Sequence, residues 1–148
     1  MTNRELAEIV KDQRPLMLLA DRSVREACGR MWEERSGSAL VIDGKQQLRG
    51  IFTERDVVRL LAKGKDANCP LVKAMTRNPV TITANSGAVD ALLNMADGGF
   101  SHVPVAEEVT IKGWFHAAIS RVWNSRNSIG RMGSRREELA ERSDPCWR

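Results

Sequence analysis

An internal repeat constrains this chain more than any other feature of its 148 residues. The stretch SVREACGRMWEERSGSALVIDGKQQLRGIFTERDVVRLLAKG is answered by SGAVDALLNMADGGFSHVPVAEEVTIKGWFHAAISRVWN. Ala27 matches Ala91, Met31 matches Met95 and Val41 matches Val105, each 64 residues on. After a hairpin one residue shorter, Gly50 matches Gly113 and Phe52 matches Phe115 at 63. A unit this small has too few strands to bury its apolar faces alone, so the two copies must pack on each other.

Each unit reads as helix, strand, strand, helix. Ser23 with Glu26 three residues on is a capping-box signature for the first helix. Val24, Ala27, Cys28 and Met31 then share one helical face, and Gly37 closes the element. Ser38–Ile42 is a short apolar strand, Asp43-Gly44 is a turn signal, and 48–52 returns as a second strand. Thr53 opens another helix, with Val57, Val58, Leu60 and Leu61 as its apolar side and Gly64 as its stop. In the second unit Ser86 precedes a helix with Val89, Leu92, Leu93 and Ala96 inward. Gly98-Gly99 breaks it, and 101–105 and 110–115 form the paired strands. The organisation expected is a first repeat at 14–67, a linker at 68–79 with two prolines, a second, degenerate repeat at 80–124 and a basic tail at 125–148.

The pattern Thr53-x-x-Asp56 carries chemistry. Thr53 falls at a helix N-cap, where its hydroxyl can accept a backbone N–H. Asp56 lies in the same turn and on the same side. A carboxylate there can accept both hydroxyls of a ribose. The helix N-terminus beside it suits a phosphate, and Arg55 offers a second phosphate contact. The competing reading is a plain helix cap that touches no ligand. Spacing alone leaves the two level.

The run GIFTERDVVRLLAKG, the following VKAMTRNPVTI and the later HVPV resemble the CBS domain family, over about residues 14–120. The resemblance implies an α/β fold: two repeats of β-α-β-β-α type packed as a pseudo-twofold pair, with small mixed sheets and helices. It implies a regulatory, non-enzymatic module that binds an adenine nucleotide (AMP, ATP, NAD or a related adenosyl ligand) between the repeats and modulates a partner protein. It also implies a homodimer. Carried over by position, Ser38 and Ala39 would offer backbone groups to the adenine edge. Thr76 and Val80 would approach the base and phosphate. A dimerisation or interaction module with vestigial sites is the alternative.

The second unit departs from the pattern. His116 stands where Thr53 would recur and Ile119 where Asp56 would, so no ribose carboxylate remains. His116 reads either as a phosphate contact or as a strand-end histidine. His102 reads either as lining a second pocket or as structural. One nucleotide lost near Gly113 would account for the break: GWFHAAISR can be encoded by codons that, with one base restored in the glycine codon, read GVVSRRDFK. That string has the Ser-x-x-Asp form. After Lys112 there is no lysine, while seven of the 17 arginines and three of the four tryptophans lie there. Sequencing the gene decides: without a single-base insertion that restores such a frame, the idea falls.

Composition narrows the function. No apolar run approaches the roughly 20 residues of a membrane span. The start, MTNRELAEIVKDQRP, has no apolar signal core, so a cytoplasmic location is expected. Cys28, Cys69 and Cys146 have no metal-ligand spacing. Cys28, on an apolar stripe, reads as a buried free thiol, and no metal site is expected. Residues 121–148 carry seven Arg against Glu137, Glu138, Glu141 and Asp144, a balance of +3. That excess reads as a solvated tail before a nucleic-acid contact, because no recognition motif accompanies it. Ile119, Val122 and Trp123 fall at helical spacing. No catalytic triad, carboxylate pair or Gly-rich phosphate loop is present.

Overall fold

The structure, a computed structural model, describes residues 4–107 and 110–116. In chain order they form α1 (Leu6–Val10), β1 (Met17–Leu19), α2 (Val24–Glu33), β2 (Ser38–Ile42), β3 (Leu48–Thr53), α3 (Glu54–Ala62), α4 (Leu71–Ala74), β4 (Thr76–Arg77), α5 (Ala88–Gly98), β5 (His102–Glu107) and β6 (Thr110–His116). One sheet has the order β1-β2-β3-β4 and the other pairs β5 with β6. β1 runs parallel to β2, while β2/β3 and β3/β4 are antiparallel. In the second sheet a parallel bridge from Ile82 to Val105 repeats the pairing of Leu18 with Val41.

Local chemistry sets the elements. Ser23 Oγ accepts the Glu26 N–H at 3.1 Å and caps α2. That helix ends at Glu33, before Gly37, and the left-handed residue beyond it is Arg35. Asp43 turns the first hairpin by accepting the N–H groups of Lys45 and Gln47 at 2.8 and 2.9 Å. Gly64 and Gly99 take positive φ after α3 and α5, as helix ends ask of glycine.

Two cores follow, one per repeat. Ala27, Met31, Val41 and Phe52 anchor the first; Ala91, Met95, Val105 and Phe115 anchor the second. The matched positions of the repeat are therefore the core. The second core also contains Leu6 and Val10 from α1, ahead of the first repeat. Leu6 and Ala7 donate to Ser86 and Ala84 carbonyls at 2.9 and 2.8 Å. Leu71 and Val72 of α4 donate in the same way to Arg22 and Ala20, at 2.8 and 3.0 Å. The helix ahead of each repeat thus docks on the other. The two repeat glycines allow this closeness. A Cβ on Gly50 would lie 2.5 Å from Met75 Sδ and 2.7 Å from the Thr76 carbonyl. One on Gly113 would lie 2.8 Å from Val10 Cβ.

Several expectations change. The stretch read as a linker at 68–79 holds α4 and β4, which pack on the first repeat. Val58 and Leu61, read as inward, are 66% and 67% exposed, and α3 buries Asp56 and Leu60 instead. On α5, Val89 and Leu93 face out while Ala91 and Met95 face in. Val57, Leu60 and Leu92 do pack on the cores, so each buried stripe is narrower than the apolar side read from sequence, and on α3 it also takes in Asp56. No helix among the described residues is long and apolar enough to cross a membrane. The reading of Ile119–Trp123 as a helix, the part of the frame-shift reading after His116, Cys146 and the basic tail lie outside the described residues.

Candidate ligand-binding cleft

The cleft grows from the junction of β3 and α3. Thr53 is the last strand residue and the N-cap of the helix, with extended φ and ψ of −130° and 168°. Asp56 sits at the third helical position and folds back to the cap. Its Oδ2 accepts the Thr53 N–H at 2.9 Å and the Thr53 hydroxyl at 3.3 Å. Its Oδ1 accepts from the Arg59 guanidinium and, at 3.5 Å, from the Thr76 hydroxyl. The carboxylate is 2% exposed, one of two buried polar or charged residues among those described. Such burial is tolerable because every lone pair has a donor and a guanidinium supplies the countercharge.

Thr76 reaches Asp56 because β4 pairs with β3, Ile51 against Thr76. The opposite wall comes from the second repeat. β5 and β6 begin and end side by side, with His102 paired to His116. Together these elements line a cleft of about 480 Å³, within the usual size of small-molecule sites. Thr53, Arg55, Asp56, Thr76 and Val80 all line it. Arg55 crosses the cleft, its Nη1 donating to the Gly99 carbonyl at 3.3 Å.

Ser38 and Ala39 are not among the lining residues. Both are buried in β2, paired with Thr53 and Phe52. Their places are taken by Phe100, Ser101 and His102 of the second repeat. The reason is the pseudo-twofold arrangement: the repeat that carries Asp56 receives the start of the other repeat's strand. His102 matches Ser38 at an offset of 64, so the repeat itself held this signal. Residues not singled out from sequence, Ile51, Glu54, Arg59, Asn78 and Pro79, also line the cleft.

His102 and His116 thus sit in the same cleft as Asp56 rather than in a separate pocket. Their rings are 4.2 Å apart, and Trp114 packs against both. Burial, then the neighbouring His116 and Arg55, lower the His102 pKa to about 4. Burial also lowers His116, with Glu54 pulling the other way. At neutral pH the histidine wall is therefore uncharged, and the cations of the cleft are Arg55 and Arg59.

This sets a pH dependence. With a folded pKa near 4 against an ordinary 6.5, the unfolded chain takes up the His102 proton first. Stability is complete above pH 6.5 and is lost as pH falls from there towards 4. Because the ring is partly exposed, the loss attributable to it is on the order of 1 kcal/mol, or about 4 °C in Tm. His102→Gln stays neutral, so its Tm is expected to fall less than the parent's between pH 7 and pH 5. Equal falls would clear His102 of the effect.

Cys28 is a free, partly buried thiol packed on the first core, and burial pushes it up against a smaller opposing pull from Arg25. It is poorly disposed to act as a nucleophile. Among the described residues no group of His, Cys, Asp and Glu is placed to hold a metal ion.

Comparison with known proteins agrees with this architecture. A CBS domain-containing protein of Arabidopsis thaliana, CBSCBSPB2, is 41% identical over 87 residues, which are 57% of this chain and 16% of that relative. The chain thus spans about 16% of the length of that relative. The CBS domain pair of protein MJ0100, solved with 5′-methylthioadenosine and S-adenosyl-L-methionine, superposes with a TM-score of 0.76 at 21% identity, covering 84% of this chain and 99% of that one. The CBS domain protein PAE2072 from Pyrobaculum aerophilum, complexed with AMP, gives 0.72 at 19%, covering 82% and 99%. At these identities the likeness is one of fold. The CBS domain model matches residues 6–63 and 71–117, two blocks that each begin ahead of the 14 and 80 expected as the starts of the repeats. The chain belongs to the CBS domain family.

Proposed function

We propose that this chain is a non-catalytic, cytoplasmic regulatory module that binds an adenosyl ligand in the cleft. The observation that carries the reading is Asp56, a buried carboxylate at the cleft wall, held by its own helix cap. A ribose diol presented to Oδ1 would make two charge-assisted hydrogen bonds. The N-terminus of α3 and Arg55 would meet a 5′-phosphate, while Val80 and Phe100 would flank the base. The two fold relatives, one solved with AMP and one with 5′-methylthioadenosine and S-adenosyl-L-methionine, support that ligand class. A ligand gripped by both repeats acts on a partner protein by favouring one arrangement of those repeats.

The second reading, an interaction module, rests on the exposed apolar residues Val58 and Leu61 of α3 and Leu93 of α5. A second copy covering them would give the expected homodimer. One experiment separates the two readings. The chain is melted with AMP, ATP, NAD and S-adenosylmethionine in turn, and its mass is measured by light scattering. On the first reading at least one ligand raises the midpoint, by about 2.7 kcal/mol of stability at a hundred times its Kd. If no ligand moves the midpoint and the mass is that of a dimer, the interaction reading replaces it.

A further inference from the structure

Asp56 has all its acceptor positions engaged. A carboxylate offers about four lone-pair sites. Thr53 fills Oδ2 with its N–H and hydroxyl; Thr76 and Arg59 fill Oδ1. The Thr53 N–H is locked by the helix cap, and the Thr76 hydroxyl reaches Oδ1 only at 3.5 Å, a weak bond that a sugar hydroxyl can replace. Only Arg59 is both strongly bonded to Oδ1 and able to leave. Its side chain is 48% exposed while that of Asp56 is 1% exposed. Arg55 is held elsewhere, on the Gly99 carbonyl. A sugar diol seeking Asp56 therefore competes with Arg59.

We propose that Arg59 is an internal competitor for Oδ1 and makes the cleft select anionic ligands. The inference rests on the adenosyl reading above. Arg59 stands one helical turn from Asp56 and also lines the cleft, so its guanidinium can exchange the carboxylate for a phosphate without leaving the site. A ligand with a phosphate compensates the arginine as it takes the aspartate. A neutral adenosyl ligand breaks the same ion pair and gives nothing back. Arg59 is therefore a specificity residue rather than a cap ornament, and the discrimination arises from a bond that the protein makes to itself.

Titration calorimetry with AMP and with 5′-methylthioadenosine, which lacks the phosphate, tests this. The parent is expected to bind AMP more tightly. In Arg59→Met, AMP affinity falls about ten- to a hundredfold, the cost of one charge-assisted bond. Affinity for 5′-methylthioadenosine rises, by about two- to tenfold, because the bond from Arg59 to the buried carboxylate no longer has to be broken. If Arg59→Met does not fold, Arg59→Lys, a point charge in place of the fork, shows the same opposed signs in smaller size. If both ligands weaken together, or neither changes, the inference is overturned, while AMP binding by the parent keeps the adenosyl reading. If the parent binds neither ligand, both fall.

Discussion

Asp56→Ala is expected to weaken AMP binding by about ten- to a hundredfold, the loss of a charge-assisted pair worth roughly 1.5–3 kcal/mol. The side chain does two jobs, so the variant has two readouts. Towards the ligand it removes the acceptor for the diol. Towards the fold it strips the partner from the Thr53 N–H, the Thr53 and Thr76 hydroxyls and the Arg59 guanidinium. Leaving partly buried donors unpaired costs about 1–3 kcal/mol. Asp56→Asn separates the two. Its amide oxygen can still cap Thr53, so it melts closer to the parent, yet it has no charge for the diol and binds AMP weakly. Calorimetry below both melting transitions gives the affinities, and urea titration gives the stabilities. Parent-like AMP affinity in both variants would place the ligand somewhere other than this cleft.

The sequence revealed much of this because the repeat is long enough to fix its own register. Pairs such as Phe52 and Phe115, or Val41 and Val105, are all buried, and β2 runs over Ser38–Ile42 as its apolar run suggested. Thr53 and Asp56 could be placed together because a helix cap is local chemistry. What lay beyond reach was whatever depends on the partner repeat. β1 has three residues and α1 five, too few for any periodicity to show, and each is fixed by contacts distant in sequence. Ser38 and Ala39 were assigned to the ligand because they neighbour the motif in the same repeat. The cleft instead takes Phe100, Ser101 and His102, which only a pseudo-twofold axis brings there. Arg59 escaped notice because a helical arginine three residues after an aspartate looks like an ordinary surface pair. Burial of Asp56 is what makes it consequential.

Leu6→Ala is expected to cost about 2–5 kcal/mol, the range for emptying a fully buried leucine site. Leu6 is 0% exposed although it lies near the start of the chain, in a five-residue helix with no capping side chain. Such a helix has no stability of its own. It is held by the second core, where Leu6 and Val10 meet Ile82, Ala84 and Phe115, and by the Leu6 N–H on the Ser86 carbonyl. Leu71, 65 residues on, plays the same part in the first core and donates to Arg22. Leu71→Ala should therefore cost a similar amount, whereas Glu8→Ala, which breaks only an exposed pair with Arg4, should cost about 0–1 kcal/mol. Urea midpoints of the three variants decide the matter. A loss below about 0.5 kcal/mol at Leu6, as at an ordinary surface site, beside a full loss at Leu71 would make α1 an appendage. The second repeat would then have to close its core without the helix that its twofold counterpart requires, and the crossed docking of the two helices would not be what holds the repeats together.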